Sequence, residues 1–247
     1  MRWIWVLVLM VTAGFFPSAP PALAAPCTLY QGGDSAEQLK RQEQFFLKQG
    51  RDHPQDPQPF CQLAHIHFKR AGQAAESSQR IEEYRQCIEN ADRAIARDPE
   101  AAAAYFFKAL CLGKRGEIQG LWSSLTIIGP FEQLMSRAAA LDPGLNSGGP
   151  HRALGRYYYK LPWFLGGDLD KSIRHLEEAV RLAPHHWENL LFLAEAYHEN
   201  GQNAQARQTL LRLIETTRTR PQSENLAAPL KRARALLNEI EAPTSHP

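Results

Sequence analysis

From about residue 35 to about residue 241, apolar residues recur three and four positions apart, with polar and charged residues filling the intervals. That is the period of an amphipathic α-helix, and the alternating β-branched runs that mark strands are missing. Ala, Leu, Gln, Glu and Arg dominate the segment, and all of them fit a helix except where they cap or turn. The cleanest unit reads Leu193-Ala194-x-x-Tyr197, then Gly201, then Ala206 and Leu210. Each position has a mechanical part in a helix pair: the small residue allows close approach, the aromatic fills the gap beside it, and the glycine makes the turn. The pattern returns upstream as Leu154-Gly155-x-x-Tyr158, as Ala109-x-x-Leu112 followed by Gly116, and in degenerate form as Leu63-Ala64-x-x-His67 followed by Gly72. Second helices close alike, in Ala94-Ile95-Ala96-Arg97-Asp98-Pro99, Ala138-Ala139-Ala140-Leu141-Asp142-Pro143 and Ala179-Val180-Arg181-Leu182-Ala183-Pro184. Proline lacks an N–H and biases its predecessor out of the helix, so each ending predicts a stop.

These spacings match the two-helix tetratricopeptide (TPR) repeat, whose standard period is about 34 residues. They predict an all-α fold, a TPR helix-turn-helix solenoid with a C-terminal capping helix. Ser35-x-x-Gln38 is a capping box that starts a helix running to about Gln49, and the proline-rich stretch Asp52–Pro59 links it to the first repeat. Leu226, Leu230, Ala233, Leu237 and Ile240 share one face of a last helix. Its opposite face carries Lys231, Arg232, Arg234 and Glu239, as suits the end of a solenoid. The expected division is an N-terminal segment with one helix over 25–58, about four TPR-like repeats over 59–218, and a capping helix and tail over 219–247. The period is long: 44 residues separate Pro99 from Pro143 and 41 separate Pro143 from Pro184. The surplus lies between the two helices of the second and third repeats, in Glu117–Pro130 and Lys160–Gly167. Both insertions are apolar and carry a tryptophan, and equivalent insertions emerge on one edge of a repeat stack.

Residues 1–24 differ from the rest. Arg2 precedes an apolar run from Trp3 to Phe16, followed by Pro17-Ser18-Ala19-Pro20-Pro21 and Ala22-Leu23-Ala24. A basic start, a short apolar core and a small-x-small site predict a secretory signal peptide cleaved after Ala24. The run is shorter than the roughly 20 residues that span a bilayer. The expected location is the periplasm, after secretion across the inner membrane. Pro26 stands where a small residue normally precedes a lipidated cysteine, which disfavours lipoprotein anchoring at Cys27. Cys27, Cys61, Cys87 and Cys111 are even in number; an oxidising compartment permits two disulfides in any of three pairings, beside the alternative of buried single thiols. Lys+Arg 28 against Asp+Glu 26 gives a net charge of +2, too small to argue for a nucleic-acid surface.

Candidate chemistry is sparse. Gly148-Gly149-Pro150-His151 opens a helix without the Lys-Ser/Thr of a phosphate loop and reads as a flexible repeat junction. Gly166-Gly167-Asp168 reads as a turn with Asp168 capping the next helix. His65 and His67 fall on different helix faces, and His185-His186 are adjacent, so neither pair predicts a metal site. There is no G-x-S-x-G elbow, and acidic pairs such as Glu82-Glu83 and Glu177-Glu178 read as solvated faces. The expectation is no enzyme, no cofactor and no metal. Tyr157-Tyr158-Tyr159 covers three faces of one helix; Tyr158 is expected in the core and Tyr157 or Tyr159 at a groove, unless all three pack between repeats. Arg152 and Arg156, one turn apart, offer a cationic contact for a carboxylate, or are surface charges. The candidate ligand- or partner-binding residues are Trp122, Phe131, Arg152, Tyr157, Trp163 and Phe164.

The stretch Gly148-Gly149-x-His151-x-x-Leu154-Gly155-x-Tyr157-Tyr158-x-x-x-Pro162, continued by Gly166-Gly167-Asp168-x-x-Lys171-Ser172-x-x-x-Leu176-Glu177-x-Ala179, resembles the T-component family of TRAP transporters. These are exported TPR proteins associated with tripartite ATP-independent periplasmic transport. The likeness covers about residues 95–240, and the chain is more distantly similar to the TPR domains of regulators of microtubule dynamics. The resemblance implies a helical stack with an internal pore or cavity and a trimeric assembly. It also implies a periplasmic substrate-binding protein as partner, with an apolar or carboxylate ligand handed over. The best-known form of the family is a lipoprotein, from which this chain departs. The expected function is an exported non-enzymatic TPR scaffold for protein–protein interaction in the periplasm. The alternatives are a ligand-handling transporter accessory with an aromatic-lined cavity, and a membrane-surface contact through the insertions.

Overall fold

Ser35 opens the first helix: its hydroxyl accepts from the Gln38 N–H at 3.3 Å, and the Gln38 side chain accepts from the Ser35 N–H at 3.1 Å. This capping box satisfies two N–H groups that the helix cannot bond internally and starts α1, Ala36–Asp52. The computed structural model describes residues 27–29, 33–218 and 226–242. The expected signal segment 1–24, residues 219–225, the tail from 243 and the Trp122 side chain lie outside the described residues.

The described chain is helical throughout, with no strand among the described residues. Successive helices are α2 (Gln58–Gln73), α3 (Ser77–Arg97), α4 (Ala102–Gln119), α5 (Leu121–Thr126), α6 (Ile128–Leu141) and α7 (Leu145–Lys160). A 3₁₀ turn at Trp163–Leu165 leads to α8 (Leu169–Leu182), α9 (Trp187–Glu199), α10 (Asn203–Arg218) and α11 (Ala227–Glu241). Sequence neighbours pack on each other in order, as in a TPR solenoid. The second helices α3, α6 and α8 end at Arg97, Leu141 and Leu182, each two residues before its proline. The small position also behaves as its mechanics require: a Cβ on Gly155 would stand 2.4 Å from Leu176 Cγ. The first insertion folds into the short α5 and the start of α6, and the second into the 3₁₀ turn.

Apolar packing divides along the chain. One large cluster joins α2, α3, α4, α6 and α7 through residues such as Phe60, Leu63, Tyr84, Phe106, Phe107, Met135 and Leu154. Beyond α7 the buried residues form two smaller groups, one with Ile173, Leu176, Leu193 and Ala196, the other with Leu190, Leu191, Ala194, Leu210, Leu213 and Ala233. Both disulfides belong to the first region. Cys27–Cys61 ties the N-terminal segment to α2, and Cys87–Cys111 ties α3 to α4, with Cα separations of 6.2 and 6.4 Å.

Two local expectations are corrected. The Gly148-Gly149 junction is packed and buried, the opposite of flexible. Asn146, Ser147 and Gly148 make one left-handed turn, with φ of 49°, 59° and 75°, before the right-handed helix runs over 149–160. A Cβ on Gly148 would meet the Ala179 backbone at 3.1 Å, and one on Gly149 would meet Phe106 at 2.9 Å. The second correction concerns Glu83, which is drawn inward. It accepts from His67 Nδ1 at 2.7 Å and pairs with Arg70 at 2.8 Å, while Arg70 also reaches Glu43 on α1. That network fastens α1 to the α2–α3 pair.

Candidate functional site

A cavity of about 670 Å³ opens where α4, α6 and α7 diverge. Its apolar wall includes Phe106 and Leu110 from α4, Phe131 from α6 and Tyr157 from α7. Both insertions reach it, the first through Ser124, Ile127 and Ile128 and the second through Lys160 and Leu161. Phe131 and Tyr157 stack face to face, 5.3 Å apart and 15° from parallel. The Tyr157 hydroxyl donates to Ile128 O at 3.2 Å or to Glu132 Oε2 at 3.3 Å, and Tyr158, buried behind it, donates to Glu132 Oε1 at 2.5 Å. Burial, reinforced by the Glu132 carboxylate, pushes the Tyr157 phenol up to about 12 and raises Tyr158 as well. Both stay neutral hydroxyls at physiological pH, and Glu132 fixes their rings.

Cations border the cavity. Lys114, Arg152, Arg156, Lys160 and Arg232 line it together with the acidic Glu117 and Glu188. Arg152 is largely buried and donates to Asn189 Oδ1 at 2.9 Å, with Glu188 at 3.3 Å. Burial lowers its guanidinium from the ordinary value, and Glu188 opposes that shift. Arg156 bonds Glu195 at 2.7 Å, and its guanidinium lies 4.6 Å from the Tyr159 ring centroid and 4.3 Å from that of Phe192. Arg232, from the capping helix, reaches the other oxygen of Glu195 at 2.5 Å. Glu195 is only 6% exposed, so two arginines compensate a charge that would be costly to bury alone. Lys114 pairs with Glu117 at 2.9 Å, and Lys160 is exposed and makes no ion pair among the described residues. An apolar wall with a partly compensated cationic border can bind an apolar group that ends in a carboxylate. Among the described residues, no cluster of three or more His, Cys, Asp or Glu is placed to hold a metal ion.

The structure brings Phe131, Arg152 and Tyr157 together at the cavity and leaves Trp163 and Phe164 elsewhere. Those two stand on the 3₁₀ turn, 84% and 67% exposed, packed edge to face with centroids 5.8 Å apart. The turn is closed by Leu165 N–H and Gly167 N–H donating to Pro162 O at 2.9 and 3.0 Å, and by Asp168 capping α8 through the Lys171 N–H at 2.9 Å. Gly167 has no alternative, since a Cβ there would stand 1.8 Å from the Leu161 carbonyl oxygen.

Sequence reasoning missed Asn189. Fully buried, it donates to Ser147 O at 3.0 Å and Ala179 O at 2.8 Å, locking the left-handed turn at the cavity border. It also missed Glu195, the joint of the two arginines. The available signal was a polar residue on the inward face of the Leu-rich α9, where an unpaired group is rarely tolerated.

Residues 101–242 match the family described as TRAP transporter T-component, and residues 70–120 match a tetratricopeptide repeat. No curated protein matches. Among solved structures, a thermophilic TPR protein of Thermus thermophilus superposes with a TM-score of 0.59 at 19% identity, covering 81% of this chain and 92% of its own. MamA superposes with a TM-score of 0.52 at 16% identity, covering 74% and 90%. At such identities the likeness is one of fold.

Proposed function

The chain belongs to the TRAP transporter T-component family, and from that premise we propose that it is an exported, non-enzymatic TPR scaffold working in the periplasm. Its partner is the substrate-binding protein of a TRAP-type system, held at the cavity between α4, α6 and α7. The observation that carries this reading is the combination of an apolar wall with the exposed Lys160 and the buried Arg152 at its border. Isothermal titration of the full chain with a substrate-binding protein of a TRAP-type system from the same organism tests the reading. Phe131→Ala and Lys160→Glu are expected to weaken binding about tenfold each, or about 1.4 kcal/mol. Undiminished binding by both variants overturns it.

The cavity volume supports a second reading, that of an accessory handling an apolar or carboxylate ligand. About 670 Å³ falls within the range of about 300–1,000 Å³ usual for small-molecule sites. A bound mass in the native mass spectrum of the purified chain, lost on Phe131→Trp, favours this reading over the first. Trp163 and Phe164, outside the cavity, suit a membrane-interface contact. Failure of the chain to co-sediment with anionic vesicles excludes that role.

A further inference from the structure

His151 on α7 and His175 on α8 point their Nδ1 atoms at each other across 3.0 Å. They lie 24 residues apart in sequence, so no local spacing announces the pair. Neither ring is loose. His175 stacks on Tyr158, 5.6 Å between centroids and 11° from parallel, and Glu132 fixes Tyr158 through its hydroxyl. His151 follows directly on Gly148, Gly149 and Pro150, all three buried.

Two imidazoles converge nitrogen to nitrogen either around a shared proton or around a metal ion. Metal–imidazole bonds are about 2.0–2.1 Å long. Two donors 3.0 Å apart therefore subtend about 90–97° at a common ion, given that bond length. That is the cis angle of square-planar or octahedral coordination; a tetrahedral ion needs its donors about 3.3–3.4 Å apart. We propose that His151 and His175 form a binding site for a divalent transition-metal ion of tetragonal preference, Cu²⁺ or Ni²⁺ ahead of Zn²⁺. The protein supplies two neutral imidazole donors, and water fills the other positions. The site is therefore open and its ion exchangeable.

Metal-free, the pair shares one Nδ1 proton in an N–H···N hydrogen bond. When the ion binds, that proton leaves Nδ1 and an equivalent proton is taken up at Nε2 of the same ring, so both Nδ1 lone pairs face the metal with no net proton release. Burial favours the neutral donors. It lowers His175 to about 4, aided by the charges of His151 and Arg174, and it also lowers His151. The surrounding charges oppose one another, Glu132 and Glu178 against Lys171, Arg174 and Arg181. Affinity thus rests on the two nitrogens.

Titration of the full chain with CuCl₂, NiCl₂ or ZnCl₂, read by calorimetry and by electron paramagnetic resonance for copper, tests the site. The expected result is one equivalent of Cu²⁺ with nitrogen hyperfine structure, bound at least about tenfold more tightly than Zn²⁺. His151→Gln or His175→Gln should each lose about tenfold or more in affinity, while His185→Gln leaves it unchanged. In the wild-type chain, substoichiometric Cu²⁺ should broaden the ring proton resonances of His151 and His175 first, a measurement that needs no variant to fold. Preference for Zn²⁺, or Cu²⁺ binding that survives both substitutions, overturns the proposal, as does broadening centred on other histidines.

Discussion

The part of the stack before α7 and the part after it are held by different means. From Cys27 to α7, one continuous apolar cluster is crossed by two disulfides, and α1 is fastened by the part-buried His67–Glu83–Arg70–Glu43 network. From α8 to α11 no disulfide exists, and the apolar clusters are smaller. Asn189 and Glu195, both on α9, take over the cross-bracing there by tying α9 to α7, α8 and α11. The first region is constrained by covalent links that limit its unfolded state. The second depends on polar contacts that exist only in the folded state. A repeat stack has no single core, so each stretch must solve its stability locally. The cavity lies at the join.

The largest effect that bears on this contrast comes from removing Cys87–Cys111. Loop-closure entropy for a separation of 24 residues amounts to about 3.5 kcal/mol, and Cys87→Ser with Cys111→Ser should cost that much. Hydrogen exchange followed by mass spectrometry should show protection falling in α3 and α4 while α9 and α10 hold. Equal loss throughout would mean that the stack unfolds as one unit. Next, Asn189→Ala deprives Ser147 O, Ala179 O and Arg152 of a partner and should cost about 2 kcal/mol. Exchange should then rise in α7–α9, with α2–α4 unaffected.

Acid touches both regions at once. Burial depresses His65, which stacks on Phe107, and His175, each from 6.5 to about 4. A histidine whose folded-state value is depressed binds fewer protons folded than unfolded. Stability should therefore fall as pH drops from about 6.5 to about 4 and change no further through these groups below that. Each ring retains some contact with water, so the effect should be smaller than the disulfide's. Chemical denaturation at stepped pH measures it, and His65→Phe and His175→Phe should flatten the slope in separate regions. The smallest effect belongs to Trp163→Ala with Phe164→Ala. These side chains are exposed, so stability should change by less than about 0.5 kcal/mol; a larger loss would assign the turn to the packing of the second region.

The repeat architecture was legible because it rests on short-range mechanics. Gly155 is small because Leu176 occupies the space beyond it, and the prolines after α3, α6 and α8 stop those helices whatever surrounds them. Capping at Ser35 and Asp168 is equally local. The cavity was partly legible. Phe131 and Tyr157 meet because they are aromatic positions on successive helices, whereas Trp163 and Phe164 are turned outward by a 3₁₀ turn whose direction depends on Gly166 and Gly167. Asn189, Glu195 and the His151–His175 pair were not legible, since each acquires its role from a partner more than 20 residues away. The left-handed turn at Asn146–Gly148 belongs with them: a strained backbone persists only where tertiary contacts over-determine it, and those come from α8 and α9.

The pairing of the cysteines has a kinetic side. First joins second and third joins fourth, Cys27 with Cys61 and Cys87 with Cys111. Of the three possible pairings, this is the one produced when each thiol reacts with its predecessor as the chain emerges amino end first. Both crosslinks can be complete once Cys111 has emerged, before any of α7 to α11 is available. No long-range reshuffling of mixed disulfides is then needed to reach the native connectivity. A donor of oxidising equivalents should suffice for refolding of the reduced chain, with an isomerase adding little to the rate.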